Sequence, residues 1–423
     1  MWTKDPGPSR RVVASSPTVS TENSGAGARA SSRVRSLAPT VFSEFSALAA
    51  RVGAVNLGQG FPDFDGAESI REAAVRALRA GQNQYAPGLG AVSLRRAVAR
   101  HAQRFHGLSV DPDAMVVVTC GATEAIFDAI QGLVDPGDEA VLFEPFYDSY
   151  AAGVVMAGGV LRPVPLRPPD AAHPRWWFEG GALEEAFTAR TRVVLLNTPH
   201  NPTGKVFTRP ELEQVAALCQ RWGAVAVVDE VYEHLTYGEA RHLSLATLPG
   251  MAERTLTVSS AAKTFGFTGW KVGWAMGPRV LRDAVLQAHQ YVTFAVPTPL
   301  QEAVATALEL PDSYFAELQA AYAGRRRKLL EALAASGLTP WEPEGAYFAC
   351  TDVSGRGFAD DDSFCRHLTT EAGVAAIPLS AFYLDPSRAP CVARFAFCKS
   401  DATLDEAARR LRAARPLGRV AAT

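Results

Sequence analysis

Short, nearly unbroken apolar runs govern what this chain of 423 residues can fold into. They lie at 115–119 (MVVVT), 139–143 (EAVLF), 192–197 (RVVLLN), 224–229 (AVAVVD) and 255–259 (TLTVS). The first four do not alternate apolar with polar, as a strand with one wet face does. They therefore predict a mostly parallel sheet covered by helices on both faces. Several of the runs end in polar residues, Asn197, Asp229 and Ser259-Ser260. Ligands of open α/β sheets sit beyond the carboxyl ends of the strands, so these are the positions to inspect for function.

Helical patterns fall between the runs. Ile70, Ala73, Ala74, Ala77 and Leu78 share one helical face. A helix is expected from Gly121 through Val134, ended by Asp135-Pro136-Gly137, and another over 209–222. Helical stretches dominate 279–336. From Gly345 the pattern becomes a mixed α+β unit, with strands near 346–350 and 392–398. The fold class expected is α/β, a large domain with a mostly parallel sheet flanked by helices, plus a smaller α+β domain.

Composition removes some partners. Lys plus Arg number 42 against 44 Asp plus Glu, a net charge of -2. Neither a nucleic acid nor a membrane surface is expected from that balance. No apolar run reaches the roughly 18 residues a membrane helix needs. The six cysteines are scattered without a C-x-x-C pair, which predicts reduced thiols in a cytoplasmic protein and no cysteine zinc site; no metal is expected. Residues 1–35 are rich in Ser, Ala, Gly and Arg and nearly free of acids. An organelle transit peptide has that composition, but the segment lacks an amphipathic apolar stripe, so it reads as a disordered tail.

The chemistry concentrates in a few turns. Lys263 stands just past a strand, among small and apolar residues (SSAAKTFGF), with Lys271 following in GWKVGW. It is either an ordinary loop lysine or an amine whose pKa is lowered by desolvation and a nearby cation, and so a nucleophile toward an aldehyde. Asn201 lies in the turn NTPHNPTG, where asparagine often only caps backbone. Asp229 ends a buried strand, either as a helix N-cap or paired with a buried positive group. Gly121-Ala122-Thr123 forms a strand-to-helix turn whose free N–H groups favour a phosphate.

Together these segments resemble the fold-type I aminotransferases of class I/II, and more narrowly the kynurenine aminotransferase, glutamine transaminase K and cysteine-S-conjugate β-lyase group. The resemblance runs from about Val55 to the last helix. It is carried by NLGQGFPDF (56–64), NQY (83–85), EPFYDSY (144–150), NTPHNPTGKVF (197–207), DEVY (229–232), SSAAKTFGFTGWKVGW (259–274), IPLSAFY (377–383) and Arg394-Phe395. It implies pyridoxal 5'-phosphate (PLP) held as a Schiff base on Lys263, with Asp229 on the pyridine nitrogen. Asn201 and Tyr232 would bond the ring hydroxyl, and Tyr147 would stack on the ring. Ala122, Thr123, Ser260 and Lys271 would hold the phosphate, joined by Tyr85 of a neighbouring subunit in a homodimer with shared sites. Arg394 and Gly60, with Asn201, would take the substrate carboxylate. The resemblance also implies domains: 36–65 an arm and part of the small domain, 66–310 the large PLP domain, and 311–423 the C-terminal small domain.

The expected reaction is ping-pong transfer of an amino group between an L-amino acid and a 2-oxo acid. The aromatic residues near the site (Phe61, Phe64, Tyr147, Phe267, Phe294) hint at aromatic, sulfur-containing or glutamine-like donors. Alternatives are a cysteine-S-conjugate β-lyase, an N-succinyl-diaminopimelate aminotransferase and an oxygen-using PLP oxidase. A PLP-binding regulator would need a DNA-binding module, and residues 1–35 show neither helical periodicity nor a basic helix. The sequence departs from the group at Thr123, where an aromatic residue is common, at Gly266-Phe267, where Ser-Ala is familiar, and at Phe294-Ala295.

Overall fold

The computed structural model describes residues 31–35, 37, 40–414 and 417. The reading of residues 1–35 as a tail lies outside these, except for residues 31–35, of which Ser32–Arg35 form one short helix.

Seven strands make the central sheet: Val116–Thr119 (β1), Glu139–Glu144 (β2), Val160–Pro165 (β3), Thr191–Asn197 (β4), Val225–Asp229 (β5), Thr255–Ser260 (β6) and Gly273–Met276 (β7). Their order is β1-β7-β6-β5-β4-β2-β3. All neighbours are parallel except β7, which runs antiparallel to both β1 and β6. The unbroken apolar runs have the consequence expected of them. Along β4, Val193 and Leu195 pack into one core while Val194 and Leu196 pack into another on the opposite face. Val227 and Val228 of β5 divide the same way, so each strand buries both its faces.

Two strands of this sheet escape the sequence reading. β3 carries Pro163 and Pro165 and sits at the sheet edge, where a missing N–H costs no ladder bond. β7 begins on a glycine and is too short to show a period. The expected helical stretch 279–336 is three helices, Arg279–Val292, Thr298–Leu308 and Asp312–Ala335. Prolines at 297 and 311 stand before the second and third, and Phe294 turns the chain with φ 68°.

A second, antiparallel sheet contains, in spatial order, Ile377–Pro378, Val392–Ala396, Phe348–Asp352 and Pro340–Trp341. Arg394 stands on one of its inner strands, opposite Cys350 and Ile377. The segment Val55–Asn56 pairs in parallel with Val374–Ala375. The Ala396 N–H then bonds the Leu57 carbonyl at 2.6 Å, which lays residues 58–60 across the Arg394 strand. Among the described residues no helix is long and apolar enough to cross a membrane.

Candidate active site

The carboxyl ends of β4, β5 and β6 open into a cavity of about 400 Å³, within the range of small-molecule sites. Gly60, Ala122, Thr123, Tyr147, Asn201, Asp229, Tyr232, Ser260, Lys263, Lys271 and Arg394 all line it. Tyr85, singled out with them, does not line it, and of the five aromatic residues that hinted at the donor only Tyr147 does; Phe61, Phe64, Phe267 and Phe294 do not. Tyr85 is 82% exposed and packs edge-on against Phe294 at 5.3 Å, away from this cavity.

Lys263 sits in the short helix Ala261–Thr264, which starts directly at the end of β6 and is capped by the Ser260 hydroxyl. Burial lowers its ammonium pKa; the cations of Lys271 and Arg394 push the same way, while Cys398 and Asp229 oppose them. Its Nζ donates to the Gly60 carbonyl at 3.4 Å and lies 5.8 Å from the ring centres of both Tyr232 and Tyr347. A desolvated amine with one long hydrogen bond is poised to react.

Asp229 ends β5 and is buried. Burial raises its carboxyl pKa, against which the Tyr150 hydroxyl, the Val231 N–H and Lys263 act. Tyr150 donates to Oδ2 at 2.6 Å and Val231 N to Oδ1 at 3.2 Å. Asn197, its lateral neighbour on β4, donates its side-chain amide to the Asp229 carbonyl at 2.9 Å. Two donors thus fix a carboxylate that faces the cavity and gains from any cation placed before it.

A helix start and a lysine lie at the other end. The twelve-residue helix Ala122–Leu133 starts there with no side-chain cap, so its first N–H groups face the cavity. Gly121 precedes it at φ 83°, and a Cβ there would come within 3.2 Å of Lys271 Nζ. Lys271 itself holds a left-handed backbone, φ 54°, which is strained for a side-chain-bearing residue and is of the kind kept at functional sites. Ser260 and Thr123 add hydroxyls.

Arg394 reaches the cavity from the small sheet with 1% of its surface exposed. Burial lowers its pKa to about 10. Nη1 donates to Asn201 Oδ1 at 3.0 Å, Nη2 bonds the Gly58 carbonyl, and the guanidinium lies 4.2 Å from the Phe348 ring centre. The Asn201 N–H is itself tied to Asn197 Oδ1 at 2.6 Å. At Gly60 an added Cβ would meet the Phe348 ring at 2.9 Å, so the backbone approaches the site as only glycine allows.

Several lining residues were not among those singled out. Tyr150 stands three residues after Tyr147 in the EPFYDSY segment, and that helical spacing was the available signal. Gln59 also lines the cavity, from within the NLGQGFPDF segment; Phe42 and Phe348 do so too, and nothing local in the sequence marks these two, since long-range packing brings them in.

Fold and site together define an enzyme of the architecture called PLP fold type I. The chain belongs to the aminotransferases of class I and II: that family matches residues 52–411. A solved structure of N-succinyldiaminopimelate aminotransferase from Mycobacterium tuberculosis superimposes with TM-score 0.87 at 48% identity, covering 91% of this chain and all (100%) of that one. The methionine aminotransferase of Escherichia coli is 42% identical, covering 90% of this chain and 97% of that protein. A kynurenine–oxoglutarate transaminase of Dictyostelium discoideum is 40% identical, covering 89% and 94%. The protein is an aminotransferase.

Proposed function

We propose that this aminotransferase binds PLP on Lys263 and exchanges amino groups between L-amino acids with apolar, aromatic or sulfur-containing side chains and 2-oxo acids. The observation that carries the reading is the convergence of Lys263, Asp229 and Arg394 on one cavity.

The residues present fit the cofactor. Asp229 is a buried carboxylate awaiting a cation, as a protonated pyridine nitrogen is, and the helix start with Lys271 suits a dianionic phosphate. Asn201 Oδ1 already accepts from Arg394, which leaves its Nδ2 hydrogens for the ring hydroxyl, beside Tyr232. Tyr147 supplies a ring face. When bound, PLP supplies an aldehyde for the amino group and a cationic ring that accepts the electron pair released at Cα. Arg394 grips the substrate α-carboxylate with a planar fork, next to the Gly60 backbone. Lys263 Nζ, its pKa lowered, takes the proton from the substrate Cα. Tyr85 serves the site of a second copy, making the working unit a homodimer in which each chain completes the other's cradle.

Support for an apolar side chain comes from the walls. Phe42, Tyr147 and Phe348 line the cavity, and Arg394 is the one guanidinium among its described lining residues. A second reading, N-succinyldiaminopimelate as donor, is favoured by the 48% identity to the mycobacterial enzyme. It requires a further cation for the distal carboxylates, which a partner subunit would provide. The six cysteines are free thiols, which supports a reducing, cytoplasmic setting.

Mixing the PLP-loaded enzyme with a panel of amino acids tests the assignment. Aromatic amino acids and methionine should convert it to the pyridoxamine form, with release of the matching 2-oxo acid. Conversion by N-succinyldiaminopimelate alone would select the second reading. Pyruvate released from cysteine S-conjugates, without the transamination product, would make it a β-lyase.

A further inference from the structure

A second cluster of ionisable side chains lies behind the site, between helix Val92–His106 and the turn that follows β5. His101 Nε2 and His234 Nε2 face each other at 3.0 Å. Glu233 Oε1 is 3.9 Å from His101 Nε2, and the three ligand-type atoms all lie within 4.8 Å of one another. We propose that His101, Glu233 and His234 form a binding site for one divalent transition-metal ion of the zinc class, Zn²⁺, Ni²⁺ or Co²⁺.

The histidine spacing fits such an ion, and the Glu233 oxygen, 3.9 Å from His101 Nε2, has to close by about 0.6 Å. A tetrahedral centre about 2.05 Å from two imidazole nitrogens holds them about 3.3 Å apart. The two rings need separate by only a few tenths of an ångström from their 3.0 Å contact. Two histidines and one carboxylate leave a fourth position open, a donor set that zinc accepts and a hard cation such as Mg²⁺ does not favour.

Metal ligands must be neutral imidazole and ionised carboxylate, and the cluster joins two histidines to one glutamate.

The Glu233 carboxylate is held from outside as a metal ligand requires. His106 Nε2 engages Glu233 Oε2 at 2.6 Å, and the Ser259 hydroxyl donates to Oε1 at 2.9 Å. The His234 ring is clamped between Phe105 and Phe315, with centroids at 4.7 and 4.5 Å. The cysteine pattern carries no information about a site built from histidine. An ion here ties the helix to the turn that carries Tyr232 and to the strand that leads to Lys263.

The test uses the PLP-loaded, full-length enzyme, stripped with a chelator and titrated with ZnCl₂, with MgCl₂ as the hard-cation control. One zinc per chain should bind and raise the thermal midpoint, while magnesium does neither. X-ray absorption at the zinc edge should show imidazole nitrogens. His101→Asn should weaken zinc binding at least about 10- to 100-fold without changing the absorbance of bound PLP, and His234→Gln should do the same. Absence of stoichiometric zinc uptake, an all-oxygen shell, or unchanged uptake in His101→Asn would overturn the site. Because the outcome is read as bound metal, it stands apart from the substrate assignment.

Discussion

Tyr150 donates its phenolic hydrogen to Asp229 Oδ2 at 2.6 Å, inside a region where neither group meets bulk water. Burial raises the Asp229 pKa, and this hydroxyl is the first of the groups that oppose the rise. The phenol cannot ionise there, since burial and the adjacent carboxylate keep its pKa well above the ordinary value. Tyr150 is therefore a fixed donor that favours the anionic form of Asp229.

Replacing Tyr150 by Phe removes that donor and little volume. A hydrogen bond to a charged group contributes about 1.5–3 kcal/mol, so PLP should bind roughly 10- to 100-fold more weakly. Fluorescence titration of the apoenzyme with PLP gives the constant. Equal affinities in the two proteins would show that the carboxylate needs no help from the phenol.

Lys263→Ala should abolish both turnover and the absorbance band of the lysine Schiff base. Free PLP can still enter the cradle made by the Ala122 helix start and Lys271, so phosphate-dependent binding should survive with the spectrum of the unlinked aldehyde. Retained turnover would refute the assignment of the nucleophile.

Arg394→Lys keeps the positive charge and loses the fork. The buried guanidinium spends one nitrogen on Asn201 and one on Gly58, and a lysine ammonium cannot meet both while presenting a planar fork to a carboxylate. KM should rise about 100-fold for amino acids and 2-oxo acids alike, with the PLP absorbance unchanged. A change confined to one substrate would place Arg394 at the side chain instead of the α-carboxylate.

The sequence shows most of this site because its parts lie at strand ends, and strand ends are marked by where an apolar run stops. Asp229, Ser260 and Asn197 are visible for that reason alone. Lys263, Lys271 and Arg394 gain their roles from the resemblance, and the cavity brings them together. What stayed hidden depends on pairing between distant segments. Phe348 reaches the cavity because its strand pairs with the one carrying Arg394, and Phe42 because an N-terminal helix lies against that region. The histidine cluster was equally hidden, since His101 and His234 are 133 residues apart in the chain.

Tyr85 is exposed in a single chain, so its contribution has to be tested between chains. Tyr85→Ala and Lys263→Ala, each poorly active alone, should complement when unfolded together and refolded as mixed dimers. One site of each hybrid then has Lys263 from one chain and Tyr85 from the other, both intact. Mixtures no more active than the Tyr85→Ala parent would mean that each chain works with its own tyrosine.

Asp128 makes the pH dependence of stability predictable. It sits on helix Ala122–Leu133, fully buried, and neither of its oxygens has a hydrogen-bond partner. The nearby His289 Nδ1 is 3.9 Å away and already engaged by Glu124 at 3.0 Å. Burial, assisted by the Glu124 charge, raises the Asp128 pKa to about 8 from an ordinary 3.8. The folded chain therefore keeps a proton that the unfolded chain releases near pH 4. Stability from this group is complete below pH 4 and falls by about 1.4 kcal/mol per pH unit as pH rises toward 8, then levels off. Asp128→Asn has the same shape and no proton to lose, so it should leave stability nearly unchanged at pH 4 and increase it by a few kcal/mol at pH 8. Urea unfolding of both proteins across this range gives the difference, in which titrations common to the two cancel. A constant difference from pH 4 to 8 would mean that Asp128 ionises normally in the folded protein, and that some cation reaches it.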